Sequence, residues 1–330
     1  METFSALRIF SEGDKVAGRV AEMTLDQLSP GDVVIHNAYA SVNYKDALAA
    51  TGQGRIIRTF PRVGGIDAAG TVRSSSDSRF NAGEEVICTS YEFGVSHDGG
   101  FAQYCRVPAD WVVPLPRGLT LHEAAALGVA GYTAGLAMEL LELNGMAPKN
   151  GKVLVNGATG GVATLAIDML AKLGYHVVAV TGKDSEHGFL RELGAQEVLS
   201  RHKLEMGTRP LEKGMWAAAF DSVGGESLAW LTRTMQPDGL IASFGNAGGF
   251  EFKTTVLPFI LRGVRLIGVN SGETPMPLRR KIWGRLAADL KPRHLARIAH
   301  DITLAELPAY FERMLKGEIC GRAVVRLWKE

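Results

Sequence analysis

The stretch VLVNGATGGVATLAIDML, residues 153–170, constrains the fold of this chain more than any other. An apolar run typical of a buried strand leads into a turn of small residues, and an apolar run of helical spacing follows. Glycines at such a turn let backbone N–H groups approach a phosphate, and the positive end of the helix dipole favours the same anion. The stretch therefore predicts a strand–turn–helix unit that binds a phosphate. Gly157, Gly160 and Gly161 do not form a strict G-x-G-x-x-G, so a tight turn without a ligand is the alternative.

Strand-like and helix-like segments alternate after this turn as far as RLIGVNS, and the strands are continuously apolar. One helix is predicted over SLAWLTRTMQPDG, residues 227–239. Such alternation predicts a doubly wound parallel sheet, whereas the short strands and close turns of the first 120 residues predict a partly open β-barrel. The chain is therefore predicted to be an α/β protein divided into residues 1–122, 123–272 and 273–330.

Composition narrows the class of protein. A chain of 330 residues with 46% hydrophobic and 22% charged residues is typical of a two-domain globular protein, and its net charge of +1 argues against nucleic acid or a membrane surface as partner. The apolar runs are interrupted before the length of a membrane span, and the N-terminus lacks a signal-peptide pattern. Cys88, Cys105 and Cys320 are too sparse for a disulfide framework, which favours a cytoplasmic protein.

The end of the second predicted strand of the alternating region indicates which dinucleotide binds. A site for NAD usually has an acidic residue there, about 20 residues beyond the glycine turn. This chain has Thr181, Gly182 and Lys183, whose hydroxyl and ammonium groups favour a 2′-phosphate. Arg201, after the third strand, is a further candidate. The residues predict NADPH rather than NADH; the open alternatives are that Asp184 binds the ribose and that Lys183 and Arg201 are surface charges.

Four stretches together carry a resemblance to a known family: VNYKDALAATGQGRIIRTFPRVGGIDAAGTV, YEFGVSHDGGFAQY, VLVNGATGGVATLAIDMLAKLGYHVVAVTGK and IASFGNAGG. They resemble the medium-chain dehydrogenase/reductase superfamily, and within it the acryloyl-CoA reductase branch that is also called YhdH/AcuI-type quinone oxidoreductase-like. The resemblance implies a GroES-like catalytic domain, a Rossmann domain and NADPH-dependent reduction of an α,β-unsaturated acyl-CoA.

Position by position, the resemblance implies a set of cofactor contacts. Tyr44 would lie near the cofactor, and Arg322 would also touch it. The remaining implied contacts are, for the pyrophosphate, Thr159, Gly160, Gly161 and Val162; for the adenosine end, Thr181, Gly182, Lys183 and Arg201; and for the nicotinamide side, Ala247 and Ser271.

The chain departs from the zinc enzymes of that superfamily at their ligand positions. Asn43 stands where those enzymes have a cysteine, Gly65 to Asp67 stand where they have Gly-His-Glu, and the four-cysteine lobe is absent. No cysteine or histidine pair has zinc spacing. We therefore predict no metal, and we expect conjugate reduction of an activated C=C bond rather than simple carbonyl chemistry.

Reduction of an enoyl thioester places negative charge on the thioester oxygen, so donors for that oxygen are needed. The candidates are Asn43 as an amide donor, Tyr44 as a hydroxyl donor, Lys45 as a cation and Asp46 as an orienting acceptor. Tyr44 is the first choice, and a helix start places it on a different face from Asp46. The alternatives are that Tyr44 is a packed aromatic, that Asp46 only stabilises the helix N-terminus, and that water supplies the proton.

A CoA substrate carries phosphates of its own. The basic residues that could bind them, or could be ordinary surface charges, are Arg55, Arg58 and Arg62, and Arg279, Arg280 and Lys281.

Two other functions stay open: an NADPH:quinone oxidoreductase, and a non-catalytic NADPH-binding protein that would bind the cofactor without consuming an acceptor. The strand VRLIGVNS ends the predicted parallel sheet, and its exposed edge predicts a homodimer.

Overall fold

The computed structural model describes residues 2–13 and 15–328 of the chain. The strands are β1 (Thr3–Glu12), β2 (Lys15–Thr24), β3 (Val33–Ser41), β4 (Arg62–Val63), β5 (Asp67–Ser75), β6 (Glu85–Thr89), β7 (Tyr104–Val107), β8 (Val112–Pro114), β9 (Lys152–Val155), β10 (His176–Thr181), β11 (Glu197–Ser200), β12 (Trp216–Asp221), β13 (Met235–Ser243), β14 (Arg265–Gly268), β15 (Ala299–Thr303) and β16 (Arg322–Arg326). The α-helices are α1 (Tyr44–Ala50), α2 (Leu121–Leu143), α3 (Gly161–Lys172), α4 (His187–Glu192), α5 (Gly225–Thr234), α6 (Leu257–Arg262), α7 (Met276–Leu286), α8 (Leu295–Ile298) and α9 (Leu307–Leu315).

The chain forms two compact units. The first contains residues 1–130, 272–287 and 295–330, and the second contains residues 131–271 and 288–294. Residues 123–130 thus fold with the first unit and residues 288–294 with the second, whereas the sequence-based division placed each on the other side. The boundary falls inside α2, where no sequence signal of a linker exists.

The second unit has a six-stranded sheet in the order β11-β10-β9-β12-β13-β14, in which every neighbouring pair is parallel. The central strands β9 and β12 are mostly apolar because both of their faces are buried. Leu154, Val178 and Ile241 belong to one buried cluster with Trp216 and Trp230. The strand order reverses between β9 and β12, which is where ligands bind in such sheets. The predicted doubly wound sheet is confirmed.

One element of this sheet differs from the prediction. The helix predicted over residues 227–239 ends as α5 at Thr234, and β13 begins at Met235. Pro237 has no N–H for a helical hydrogen bond, and Asp238 adopts a positive φ of 57°. The prediction extended the helix too far because the helical spacing of apolar residues continues beyond Thr234, where the helix ends.

The first unit contains two sheets. One has the order β15-β16-β3-β5-β6-β8 with β7 paired to β3, and the other has the order β2-β1-β4. β16 pairs antiparallel with β3, so the C-terminal segment returns to the unit that the N-terminal residues begin. Helix α1 packs against α9 over Ala47, Leu307 and Phe311, which fixes the start of α1 at the edge of the buried core.

Helix α2 is long and apolar enough, by length and composition only, to cross a membrane. Within its most apolar window, however, 89% is buried inside the protein, as in the core helix of a globular domain. Gly128 breaks the helical conformation with φ 49° and ψ −152°, and a Cβ there would meet the side chains of Ser41, Asp67 and Arg322. Glycine is required at this position because the helix passes directly over a buried polar cluster.

Candidate active site

The turn between β9 and α3 has the geometry of a phosphate-binding turn. Gly157 has a positive φ of 56°, and a Cβ on it would collide with the hydroxyl of Ser222. Gly160 N–H donates to Gly157 O at 2.8 Å, which closes the turn before α3 begins at Gly161. A Cβ on Gly160 would meet only Gly157 O, at 3.1 Å. The backbone at Gly160 thus faces open space at the positive end of a twelve-residue helix.

The implied pyrophosphate contacts differ in exposure. Thr159 is 7% exposed, Gly160 is exposed, and Gly161 and Val162 are half-buried. The accessible part of the turn is therefore backbone rather than side chain, which fits a dinucleotide pyrophosphate held by N–H groups.

A buried polar triad that the sequence analysis missed holds this turn. Asn156 Nδ2 donates to Asp221 Oδ1 at 2.6 Å, and Ser222 N–H donates to Asn156 Oδ1 at 2.7 Å. Asn156 and Asp221 are 1% and 0% exposed and follow or end neighbouring strands. A polar residue at the end of each apolar strand, in VLVNG and AAFDS, is the signal that could have found them.

The strand end that was predicted to select NADPH lies where the sequence placed it, because β10 ends at Thr181. Thr181 Oγ1 accepts the N–H of Lys183 at 3.0 Å. Arg201 begins the segment after β11, and its guanidinium lies against Gly182: a Cβ there would be 2.9 Å from Nη2. His202 Nε2 lies 3.0 Å from Gly182 O. The structure thus brings a basic cluster together at the carboxyl end of β10.

Asp184, the alternative ribose ligand, is exposed one residue farther along, and its Oδ1 lies 3.5 Å from His187 Nε2. It begins a separate 3₁₀ turn rather than ending β10.

The two implied nicotinamide contacts are on loops at the carboxyl ends of β13 and β14. Ala247 is exposed in a loop that is tied to the preceding one by Gly248 N–H donating to Val223 O at 2.7 Å. Ser271 is half-buried, and its Oγ accepts from Thr133 Oγ1 at 2.8 Å. Both therefore lie on the edge of the sheet that carries the glycine turn.

In the first unit, the segment Asn43 to Asp46 forms the start of α1. Asn43 N–H donates to Asp46 Oδ2 at 2.8 Å, and Ile66 N–H donates to Asp46 Oδ1 at 3.0 Å. Tyr44 is 44% exposed and Lys45 is exposed, whereas Asn43 and Asp46 are 9% and 2% exposed. The four predicted catalytic residues therefore divide into two that can touch a substrate and two that are buried beneath them.

Burial, and in second place the neighbouring Asp67 carboxylate, raise the pKa of Asp46 to about 7. Hydrogen bonds from Asn43 and Ile66 N–H act the opposite way and lower this pKa, without overcoming the burial.

A buried cluster under α1 joins residues that are far apart in the sequence. Asn43 Nδ2 donates to Asp67 Oδ2 at 2.9 Å, and Ser41 N–H and Val129 N–H also donate to the Asp67 carboxylate. Arg322 is 3% exposed and donates to Val42 O at 2.7 Å, Asn43 Oδ1 at 3.1 Å, Ala126 O and Ser41 Oγ. These contacts give Arg322 internal acceptors, and its implied contact with the cofactor remains a prediction.

The superfamily's zinc-ligand positions therefore converge here, but they do not fit zinc. Position 43 supplies an amide nitrogen to Asp67, both oxygens of Asp67 accept hydrogen bonds, and a guanidinium occupies the cluster. Within residues 2–13 and 15–328, no group of three or more histidine, cysteine, aspartate and glutamate side chains could hold a metal ion.

Two of the arginines that were candidate ligands of the CoA phosphates are instead bound inside the protein. Arg62 Nη1 lies 2.9 Å from Ser29 Oγ and 3.4 Å from Asp98 Oδ1, and its side chain is 13% exposed. Arg279 is fully buried and donates to Thr89 O at 3.0 Å. These two are internal structural residues, so the interpretation of either as a phosphate ligand is not supported by their placement.

Comparisons with known proteins agree with this architecture. Residues 29–117 match the alcohol dehydrogenase GroES-like domain, and residues 161–287 match the zinc-binding dehydrogenase family. The chain is 47% identical to the putative quinone oxidoreductase YhfP of Bacillus subtilis and 45% identical to the probable acrylyl-CoA reductase AcuI of Escherichia coli, covering 98% of this chain and 99% of each relative.

Solved structures superpose closely. The yhdH oxidoreductase of Salmonella enterica, solved in complex with NADP, is 46% identical with a TM-score of 0.95 over 98% of this chain and 100% of that one. Bacillus subtilis yhfP, solved with NAD bound, is 46% identical with a TM-score of 0.96 over 99% and 100% of the two chains. The fold and the site define a medium-chain dehydrogenase/reductase, and the chain belongs to the acrylyl-CoA reductase (YhdH/AcuI-type quinone oxidoreductase-like) family of that superfamily.

Proposed function

We propose that the chain is an NADPH-dependent reductase of the C=C bond of a short α,β-unsaturated acyl-CoA, acryloyl-CoA being reduced to propionyl-CoA. The observation that carries this is the amide–carboxylate–guanidinium cluster at the zinc-ligand positions, under a helix start with exposed hydroxyl and ammonium groups. Relatives named acrylyl-CoA reductase and structures solved with NADP support it.

NADPH, when bound, supplies the hydride for the β-carbon of the thioester. Tyr44 and Lys45 are the catalytic residues we propose, because a hydroxyl and an ammonium stabilise the negative charge that develops on the thioester oxygen. Asn43 and Asp46 are buried positioning residues that hold those two side chains through the first turn of α1. Arg322 fixes Asn43 from below, and the proton for the α-carbon comes from water or the Tyr44 hydroxyl.

Cofactor binding is proposed for the second unit's strand ends. The backbone of Thr159 to Val162 binds the pyrophosphate, and Ala247 and Ser271 line the nicotinamide. Thr181, Gly182, Lys183 and Arg201 bind the 2′-phosphate, which predicts that Arg201→Gln raises the KM for NADPH about tenfold and leaves the KM for NADH unchanged. Lys203→Gln, in the same turn, is the matched control; equal effects on both coenzymes would assign Arg201 a structural role.

The proposed reaction is tested by oxidation of the reduced coenzyme with purified protein. Acryloyl-CoA, crotonyl-CoA and a benzoquinone are offered in parallel, with NADPH and NADH compared as donors. Turnover with NADPH and acryloyl-CoA is expected. Turnover with the quinone alone would favour the second candidate, which the name of the Bacillus subtilis relative supports, and tight NADPH binding without turnover would indicate a non-catalytic protein.

The active molecule is proposed to be a cytoplasmic homodimer. β14 is the edge strand of the parallel sheet, with Leu266 partly exposed. In the preceding helix and loop, Val256, Ile260 and Leu261 are 64–68% exposed and Phe250 is 84% exposed. An apolar surface beside an unpaired strand edge is typical of a two-fold interface.

A further inference from the structure

A pocket of about 470 Å³ lies in the first unit, next to the start of α1. Three of its lining residues are basic and two carry hydroxyls; the complete lining is Lys45, Arg55, Ile56, Arg58, Thr59, Glu92, Val95 and Ser96. We call it the basic pocket. Because Lys45 follows Tyr44 on α1, the pocket is continuous with the exposed part of the proposed catalytic segment.

The three cations of the basic pocket are available for a ligand. Among residues 2–13 and 15–328, Lys45, Arg55 and Arg58 have no described ion pair or side-chain hydrogen bond, and all three are exposed. Arg62, four residues beyond Arg58, instead contacts Asp98 and Ser29. Unlike Arg62, Arg55 and Arg58 therefore do not stabilise the fold through ion pairs.

The pocket has an excess of positive charge. Its carboxylate, Glu92, accepts a hydrogen bond from Ser96 Oγ and faces three cationic side chains. An anion of more than one negative charge complements this lining. Guanidinium groups bind both phosphate and carboxylate oxygens in pairs, but a lining with three cations and one carboxylate favours the more highly charged phosphorylated ligand over a single carboxylate.

The segment that carries the arginines is held in place before any ligand binds. Ile57, between them, is 5% exposed in the buried cluster that includes Ala47 and Phe311, and Phe60 packs against that cluster. Arg55 itself adopts a positive φ of 50°, which is uncommon for a residue other than glycine and recurs at ligand-binding positions.

We propose that Arg55 and Arg58 bind the phosphorylated nucleotide end of coenzyme A. The inference rests on the proposed function, since an acyl-CoA substrate carries a pyrophosphate and a ribose 3′-phosphate beyond the pantetheine arm. It assigns substrate recognition to the first unit, separately from the glycine turn and Arg201 in the second unit, which are assigned to NADPH. Lys45 also lines the pocket, and its proposed role remains at the thioester oxygen.

The test compares the double variant Arg55→Gln/Arg58→Gln with wild type, using acryloyl-CoA, acryloyl-dephospho-CoA and acryloyl-pantetheine. The KM for acryloyl-CoA is expected to rise about tenfold per arginine, the KM for NADPH to stay unchanged, and kcat/KM for acryloyl-pantetheine to change less than about twofold. A smaller loss with dephospho-CoA than with CoA identifies the 3′-phosphate as the contact; equal losses identify the pyrophosphate. Arg313→Gln, an exposed arginine of the same unit, is the matched control, and thermal unfolding checks the fold of each variant.

Calorimetric binding of free CoA separates failure of this inference from failure of the proposed reaction. If wild type binds CoA, and the double variant binds it at least tenfold more weakly, the pocket assignment stands even when acryloyl-CoA is not reduced. Absence of CoA binding to wild type, equal loss with acryloyl-pantetheine, or a rise in the KM for NADPH instead would overturn it. Arg55→Lys/Arg58→Lys retains the charge and is expected to recover part of the CoA affinity.

Discussion

Asp46 and Asp67 are both 2% exposed, and every oxygen of the two carboxylates accepts a described hydrogen bond. Two buried carboxylates close enough to interact cannot both ionise without a large electrostatic cost, unless cations or N–H donors compensate. Arg322 and the backbone donors surround Asp67, whereas Asp46 has N–H donors only. The raised pKa of Asp46 follows first from its burial and second from the neighbouring Asp67 carboxylate.

Protonation of Asp46 is expected to make the stability of the folded protein depend on pH. The pKa of Asp46 is raised from 3.8 to about 7 in the folded protein, so the folded state binds a proton that the unfolded state has released between those values. Its stabilising contribution is therefore present at low pH and is lost as pH rises from about 4 to about 7, by roughly 4 kcal/mol at most. In urea unfolding, the free-energy difference between wild type and Asp46→Asn is expected to shrink across that range and to stay constant above it.

Asp238→Asn is the control for that series, because its carboxylate is 79% exposed in the second unit. A wild-type-to-Asp46→Asn difference that does not change with pH would show that Asp46 is ionised in the folded protein throughout.

The hydroxyl group of Tyr44 is expected to contribute to catalysis. Tyr44→Phe keeps the ring and removes the hydroxyl that we propose for the thioester oxygen. Loss of one such donor lowers kcat by about a hundredfold, while the exposed position makes little difference to stability. Steady-state kinetics with acryloyl-CoA measures kcat, and Tyr39→Phe is the control. An unchanged kcat in Tyr44→Phe would contradict the proposed role of the hydroxyl and leave only the aromatic ring with a function.

The glycine turn between β9 and α3 contains one glycine that the fold requires and one that it does not. Gly157 is needed for the fold, because its φ is positive and Ser222 Oγ occupies the place of a Cβ. Gly160 has an ordinary φ of −74°, and a Cβ there would meet one atom, the Gly157 oxygen at 3.1 Å, so the fold needs only a small shift to accept a side chain. The space at Gly160 is what a bound pyrophosphate would use.

The matched pair Gly157→Ala and Gly160→Ala tests this reading of the turn. Gly157→Ala is expected to lower the free energy of unfolding by about 1–3 kcal/mol, because it combines backbone strain with a steric clash. Gly160→Ala is expected to lower the free energy of unfolding by at most about 1 kcal/mol, less than Gly157→Ala does, and to raise the KM for NADPH about tenfold or more. A Gly160→Ala protein that binds NADPH normally would argue against the pyrophosphate lying at this turn.

The boundaries of helices and strands could be predicted where they depend on neighbouring residues, and the prediction was wrong where they depend on distant ones. β9, α3 and β10 follow the predicted pattern because apolar period and glycine positions are properties of neighbouring residues. The end of α5 was missed because apolar spacing continued through Met235 into a strand whose hydrogen bonds come from distant residues.

For the whole molecule, the exposed apolar surface beside β14 predicts the oligomeric state. Sedimentation is expected to give twice the mass of one chain, and Ile260→Lys is expected to shift the protein towards the monomer, because burying an unpaired charge in an interface is unfavourable. Val20→Lys, on a strand of the first unit, is the control for an added surface lysine. A wild-type monomer at micromolar concentration would contradict the proposed dimer.

The sequence by itself determined the fold class and the phosphate-binding turn. Both depend on short-range patterns: apolar strands, helical periodicity, and glycines at a turn whose geometry other residues cannot adopt. The resemblance of the quoted stretches added the superfamily, and the relatives at 45–47% identity confirm it. The basic residue at the end of β10 could also be identified from the sequence, since Thr181, Gly182 and Lys183 are consecutive.

Only the tertiary structure decided which polar residues work together. Arg322 and Asn43, 279 residues apart, meet because β16 pairs beside β3, and Arg201 reaches Gly182 because β11 pairs beside β10. Arg55 and Arg58 line a pocket, whereas Arg62, on β4, contacts Asp98. Burial and charge partners depend on contacts between distant segments, which local sequence patterns do not encode.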